Sequence, residues 1–158
     1  MPIENLGKNH FLDSEKLQLN DAIATIMSIV SAKTYNLSPK ERSKYGKIGE
    51  KTKLLIDKTK QYHQNTPELQ SPDVDWDEFE ADYVTRYFSE QKILQLQSLT
   101  EMMLNIKILH DHDNYQDCLR DYKYANYKNK FGNQVGYEKK IDEMKVFFPK
   151  TGKTKKKE

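Results

Sequence analysis

Trp76–Leu109, WDEFEADYVTRYFSEQKILQLQSLTEMMLNIKIL, runs 34 residues without a proline or a glycine. Trp76, Phe79, Tyr83, Tyr87, Leu94, Leu96, Leu99, Met103, Ile106 and Leu109 recur at helical spacing, with a slip around Ser89 to Gln91. The pattern predicts one long helix of about 50 Å, at 1.5 Å per residue, with a bend near Ser89. Its start is marked by Asp75 with Glu78 three residues on, a pair whose carboxylates suit the free amides and positive dipole of a first turn.

Upstream of it, Leu19, Ile23, Ile26 and Val30 repeat at spacings of four, three and four, which predicts a helix over about Ser14–Ser31 with one buried face. Asp13 or Ser14 is the expected cap, with Leu12 as the hydrophobic staple. Leu37-Ser38-Pro39-Lys40-Glu41-Arg42 reads as a second start. Ser38 is the N-cap, Pro39 the first helical residue, and Glu41 closes a capping box. Gly46 and Gly49 then interrupt, so a short turn of helix and a fresh helix from about Gly49 to Gln64 are predicted, ended by Asn65-Thr66-Pro67. Downstream, His110-Asp111-His112-Asp113-Asn114 is the expected turn. A fourth helix follows from Tyr115 to Phe131, with Cys118, Leu119, Tyr122 and Ala125 on its inner side. A short fifth helix over Tyr137–Phe148 stops at Pro149. The fold class expected is all-α, an antiparallel four-helix bundle with a short C-terminal fifth helix. Residues 1–149 make a single helical-bundle domain and residues 150–158, with five lysines, a disordered basic tail.

Composition narrows the class. The chain has 158 residues, 32 % charged, with a mean hydropathy of −0.93. Its 17 aromatics argue for a packed core rather than disorder throughout. No apolar run reaches the roughly 18 residues of a membrane span, and Met1–Gly7 lacks the basic-then-apolar pattern of a leader, so a cytoplasmic chain is expected. The single cysteine, Cys118, excludes an intrachain disulfide and reads as a small buried hydrophobe.

Leu37 through Arg42 and Lys47-Ile48-Gly49-Glu50-Lys51, followed by Pro72, Asp75, Phe79 and Asp82, resemble segments of a small uncharacterised bacterial family found among Bacteroidetes. Phe148-Pro149 and the lysines after it are similar to that family's close. Ile48 stands where the family has Met, and the Tyr115–Phe131 region is rich in Tyr where the family usually has Ala. The resemblance implies a helical-bundle architecture and no activity.

Candidate chemistry is sparse. His110, Asp111, His112 and Asp113 are metal-capable, but neighbouring residues cannot all converge on one ion, and no Glu-x-x-His pair occurs. The acidic run Asp73, Asp75, Asp77, Glu78, Glu80 and Asp82 has Glu78 where a calcium loop needs glycine. Gly46-Lys47-Ile48-Gly49-Glu50-Lys51-Thr52 lacks the spacing and the preceding strand of a phosphate loop. No nucleophile motif is present, so no catalytic residue, metal ligand or cofactor is assigned. Residues 40–60 carry a local balance of +5, which makes Lys44, Lys47, Lys51 and Lys53 candidate phosphate contacts, together with the lysine tail. The overall charge is only +2, which supplies no strong field toward nucleic acid. Tyr124 and Tyr127, interleaved with Lys123, Lys128 and Lys130, have the same two readings: base stacking or rim packing.

The function expected is a non-enzymatic helical accessory protein that binds a protein partner or itself. The alternative is a nucleic-acid- or ribosome-associated protein using residues 40–60 and the tail. Tyr83, Tyr87 and Phe88, whose rings are spread around the long helix, form the candidate partner surface.

Overall fold

The computed structural model describes residues 5–132 and 135–148. Five α-helices follow one another: α1 Asp13–Ser31, α2 Pro39–Tyr45, α3 Glu50–Asn65, α4 Trp76–Phe131 and α5 Tyr137–Lys145, with a 3₁₀ turn at Pro67–Leu69. No strand occurs among the described residues. The expected stop at Pro149 and the basic tail at 150–158 lie outside them.

The punctuation of the sequence is largely realised. At α2 the Glu41 amide donates to Ser38 Oγ at 3.3 Å, and the Ser38 amide donates to Glu41 Oε2 at 2.8 Å, closing the capping box. The Ser38 contacts hold the Glu41 carboxyl below its ordinary range. Asp75 caps α4 by accepting from the Glu78 amide at 3.1 Å. The start of α1 differs. Neither Asp13 nor Ser14 caps it; Leu12 holds the N-cap position, and Glu15 accepts from the Leu12 amide at 2.8 Å. The last helix is shorter than expected, giving way at Val146 to a turn. Gly136, at φ 108°, leads into it in the left-handed region that side chains rarely adopt.

The largest correction concerns α4. His110–Asn114 is not a turn, and the expected third and fourth helices are one helix of 56 residues. Asp, Asn and His are weak helix formers, each about 0.5–0.7 kcal/mol less favourable than Ala, but none breaks a helix as Pro does. Lys107 pairs with Asp111 one turn on, bridging the expected break. The helix continues to Phe131 and meets its first glycine at Gly132.

Contacts divide the chain into two units: Phe11–Ser98, and the described residues of Met1–His10 with those of Leu99–Glu158. In the first unit α3 runs antiparallel to the start of α4. Lys53 reaches Glu90, Asp57 reaches Tyr83 and Arg86, Lys60 reaches Glu80, and His63 stacks on Trp76. In the second unit α5 lies against α4 through Lys140–Asp121 and Tyr137–Tyr124, and Phe148 beyond it meets Tyr122.

Burial is far below expectation. Ala125 is the only hydrophobic residue fully removed from solvent among the described residues. The α1 stripe predicted to be a buried face is exposed: Leu19 is partly shielded, but Ile23 is 51 % and Val30 54 % exposed. Cys118, expected to face inward, is exposed, as is Tyr115 at the expected start of that helix, whereas Leu119 and Tyr122 are half-buried.

Two substitutions check this account. Ser38→Ala should weaken α2 by about 1 kcal/mol, read as faster amide exchange over residues 40–45. His112→Pro should cost about 3 kcal/mol, because it would break a continuous helix; a turn at that position would accept it at little cost.

Candidate interaction surface

The polar seam between α3 and α4 is the best-defined side-chain cluster in the first unit. The Tyr83 hydroxyl donates to Asp57 Oδ1 at 3.0 Å, and Arg86 pairs with the same oxygen at 3.4 Å. Lys60 lies over the Tyr83 ring at 3.9 Å while pairing with Glu80 at 2.6 Å. The hydrogen bond to Asp57 raises the Tyr83 hydroxyl above its ordinary range, with burial and the Asp57 charge acting the same way. Lys53 is held by Glu90 at 2.8 Å and Glu50 at 3.1 Å, and the Glu90 contact raises the lysine and lowers the carboxylate. Glu80 Oε1 and Arg86 Nε are shut off from solvent without a hydrogen-bond partner. An open depression beside the seam is lined by Ile56, Phe79, Asp82, Tyr83, Thr85 and Arg86.

This seam separates the residues that sequence grouped together. Tyr83 belongs to the α3–α4 contact. Tyr87 and Phe88 face solvent, Phe88 being 60 % exposed with Lys92 5.2 Å from its ring centre. Of the four candidate phosphate contacts, Lys53 is engaged by two carboxylates. Lys44 lies 5.0 Å from the Tyr45 ring centre, and Lys47 and Lys51 are exposed. They come from α2, the following loop and α3.

In the second unit, the described N-terminal residues dock on α4. The Gly7 amide donates to Asp113 Oδ2 at 2.6 Å, and His110 Nε2 is 3.2 Å from the Asn9 carbonyl oxygen. His10 packs on the His110 ring at 4.9 Å. Gly7 makes a close approach: a Cβ there would sit 2.6 Å from His110 Nδ1, so a larger residue would have to displace the His110 ring. Sequence reasoning missed this role, since one glycine in a segment without periodicity carries no signal. His110 and Asp113 share this contact because they are three apart on a helix, while Asp111 and His112 point elsewhere. Among the described residues no group of three His, Cys, Asp or Glu side chains is placed to hold a metal ion.

The most extensive feature is apolar. Residues 99–109 of α4 include Leu99, Met102, Met103, Leu104, Ile106, Ile108 and Leu109. At 100° per residue these surround the helix, a distribution found in helices buried on all sides. Yet all except Ile106 are exposed, from 41 % at Leu109 to 58 % at Met102. In the first unit, α1 presents Ile23, Ile26, Met27, Ile29 and Val30 to solvent in the same way.

The Gly7 amide, as the largest influence, lowers the Asp113 carboxyl below its ordinary value of about 3.9. A depressed carboxylate stabilises the docked state above its unfolded value, and that contribution is lost as pH falls through the folded value. Acidification below about pH 4 should therefore release residues 5–10, seen by amide exchange at Gly7. In Asp113→Asn the segment should exchange rapidly at neutral pH as well, with the acid dependence gone. Comparison of the chain with family models, curated proteins and solved structures finds no match.

Proposed function

We propose that this chain is a non-enzymatic, cytoplasmic helical protein that works by binding another polypeptide, its own copy included. On this reading the antiparallel four-helix bundle is completed when a second polypeptide covers its helices. The supporting observation is the exposure of helix faces that ordinarily form a core, on α1 and along residues 99–109 of α4. Contiguous apolar patches of this kind mark interaction sites. Tyr87 and Phe88 are further exposed aromatics of the first unit. Among the described residues no helix is long and apolar enough to cross a membrane, so lipid spanning does not account for these faces. The likeness to the Bacteroidetes family fits this reading and adds no activity to it.

The nucleic-acid alternative has less support, because Lys53 and Lys60 of the basic segment are already paired with Glu50, Glu90 and Glu80. Affinity capture by the full chain, with and without nuclease, separates the two readings. Retention of a discrete protein in both arms, reduced at least about tenfold by Ile23→Asp with Ile26→Asp, is the expected result. Retention of nuclease-sensitive nucleic acid alone, unaffected by the α1 substitutions, would overturn it.

A further inference from the structure

Tyr122–Phe131, YKYANYKNKF, closes α4 with four rings and three lysines, and holds no carboxylate and no Leu, Ile, Val, Met or Trp. One side of this stretch is covered. Ala125 is fully buried, and Asp121 and Tyr122 beside it meet Lys140 and Phe148. At about 100° per residue, Lys123, Tyr127, Lys130 and Phe131 all fall within about 60° of the opposite direction. That outward face is open: Tyr127 is 58 % and Phe131 67 % exposed.

The outward face of a helix ordinarily carries charged and polar side chains rather than rings. Here the Tyr127 and Phe131 ring centres lie 5.3 Å apart, and Lys130 is 5.2 Å from the Phe131 ring centre. Among the described residues no carboxylate pairs with Lys123, Lys128 or Lys130, whereas Arg120 and Lys140 beside them are matched by Asp117 and Asp121. Uncompensated ammonium groups next to exposed rings are what a single-stranded nucleic acid needs: the lysines neutralise phosphates and the rings stack on bases. Charge and ring chemistry select this occupant over the others. Lysine is depleted from polypeptide interfaces. A helix lying on a lipid surface buries Leu, Trp or Phe into the acyl boundary, and this stretch has Phe131 alone of these. A base-paired duplex hides the base faces on which rings stack.

We propose that the end of α4 binds single-stranded nucleic acid, with bases stacked on Tyr127 and Phe131 and phosphates met by Lys123 and Lys130. The site is separate from the apolar faces read as a polypeptide surface, so either reading can fail alone. Fluorescence anisotropy of a labelled oligouridine with the full chain tests it. The wild-type chain should bind, with affinity falling as salt rises. Tyr127→Ala with Phe131→Ala should raise the dissociation constant at least about tenfold at unchanged helix content, and Tyr127→Phe, which keeps the ring, should not. Lys123→Gln with Lys130→Gln should lower the slope of log affinity against log salt by about 1.4. Lys44→Gln with Lys47→Gln, in the first unit, should leave binding unchanged. Absence of binding at low salt, tighter binding of base-paired RNA, an affinity indifferent to the loss of both rings, or a salt slope unmoved by the loss of both lysines would each overturn the proposal. Binding of phosphatidylserine-containing vesicles in place of the oligonucleotide would overturn it as well.

Discussion

Helices satisfy their own backbone hydrogen bonds, but they are stable in water chiefly when an apolar face is removed from it. That removal is the constraint on which this chain depends. Within one copy it is barely met: Ala125 is buried, Leu19, Ile56, Phe79, Ile106 and Leu119 are partly shielded, and the remaining large apolar residues of α1 and of residues 93–109 are mostly in solvent. At about 25 cal/mol per Å² of apolar surface, covering even a fraction of this area outweighs every polar contact described above. The ion pairs between α3 and α4 cannot substitute, because exposed pairs contribute about 0–1 kcal/mol each. Lys53–Glu90 and Arg86–Asp57 therefore fix which helices meet and in which direction more than they hold them together.

Local chemistry was legible in the sequence because it is decided by neighbours. Ser38 with Glu41 and Asp75 with Glu78 cap where their spacing says they should, and the glycine-poor, proline-poor run from Trp76 is a single helix. The misreading at His110–Asn114 has a physical cause. Five polar residues in a row resemble a loop by composition, but polarity does not end a helix when no backbone geometry forbids its continuation. Leu12 at the N-cap position of α1, where Asp13 or Ser14 was expected, is a shift of one or two residues, within the fraying of any helix end.

Burial was less legible. Periodicity identifies a face that needs covering and is silent about what covers it. The stripe Leu19, Ile23, Ile26 and Val30 is as regular as that of any core helix, and its regularity is equally consistent with an intermolecular contact. The grouping of Tyr83 with Tyr87 and Phe88 fails for a related reason. Tyr83 lies one helical turn from Tyr87, but only Tyr83 faces α3, where Asp57 accepts a hydrogen bond from its hydroxyl. The Gly7–Asp113 contact joins residues 106 positions apart, and no local pattern encodes such a separation.

The proposed interaction would couple folding to association. Anything that binds the folded form stabilises it by mass action, so the apparent stability of α1 and central α4 should follow the concentration of whatever covers them. The polar contacts then have a defined part. Gly7 on Asp113, and the Lys60–Tyr83–Asp57 cluster, hold local geometry without removing much apolar surface. Each acts within its own unit, and neither covers the apolar residues between Leu99 and Leu109 that stay exposed. On the proposed reading, stability and recognition draw on the same side chains, so a substitution among the exposed apolar residues of α1 or Leu99–Leu109 would act on both at once.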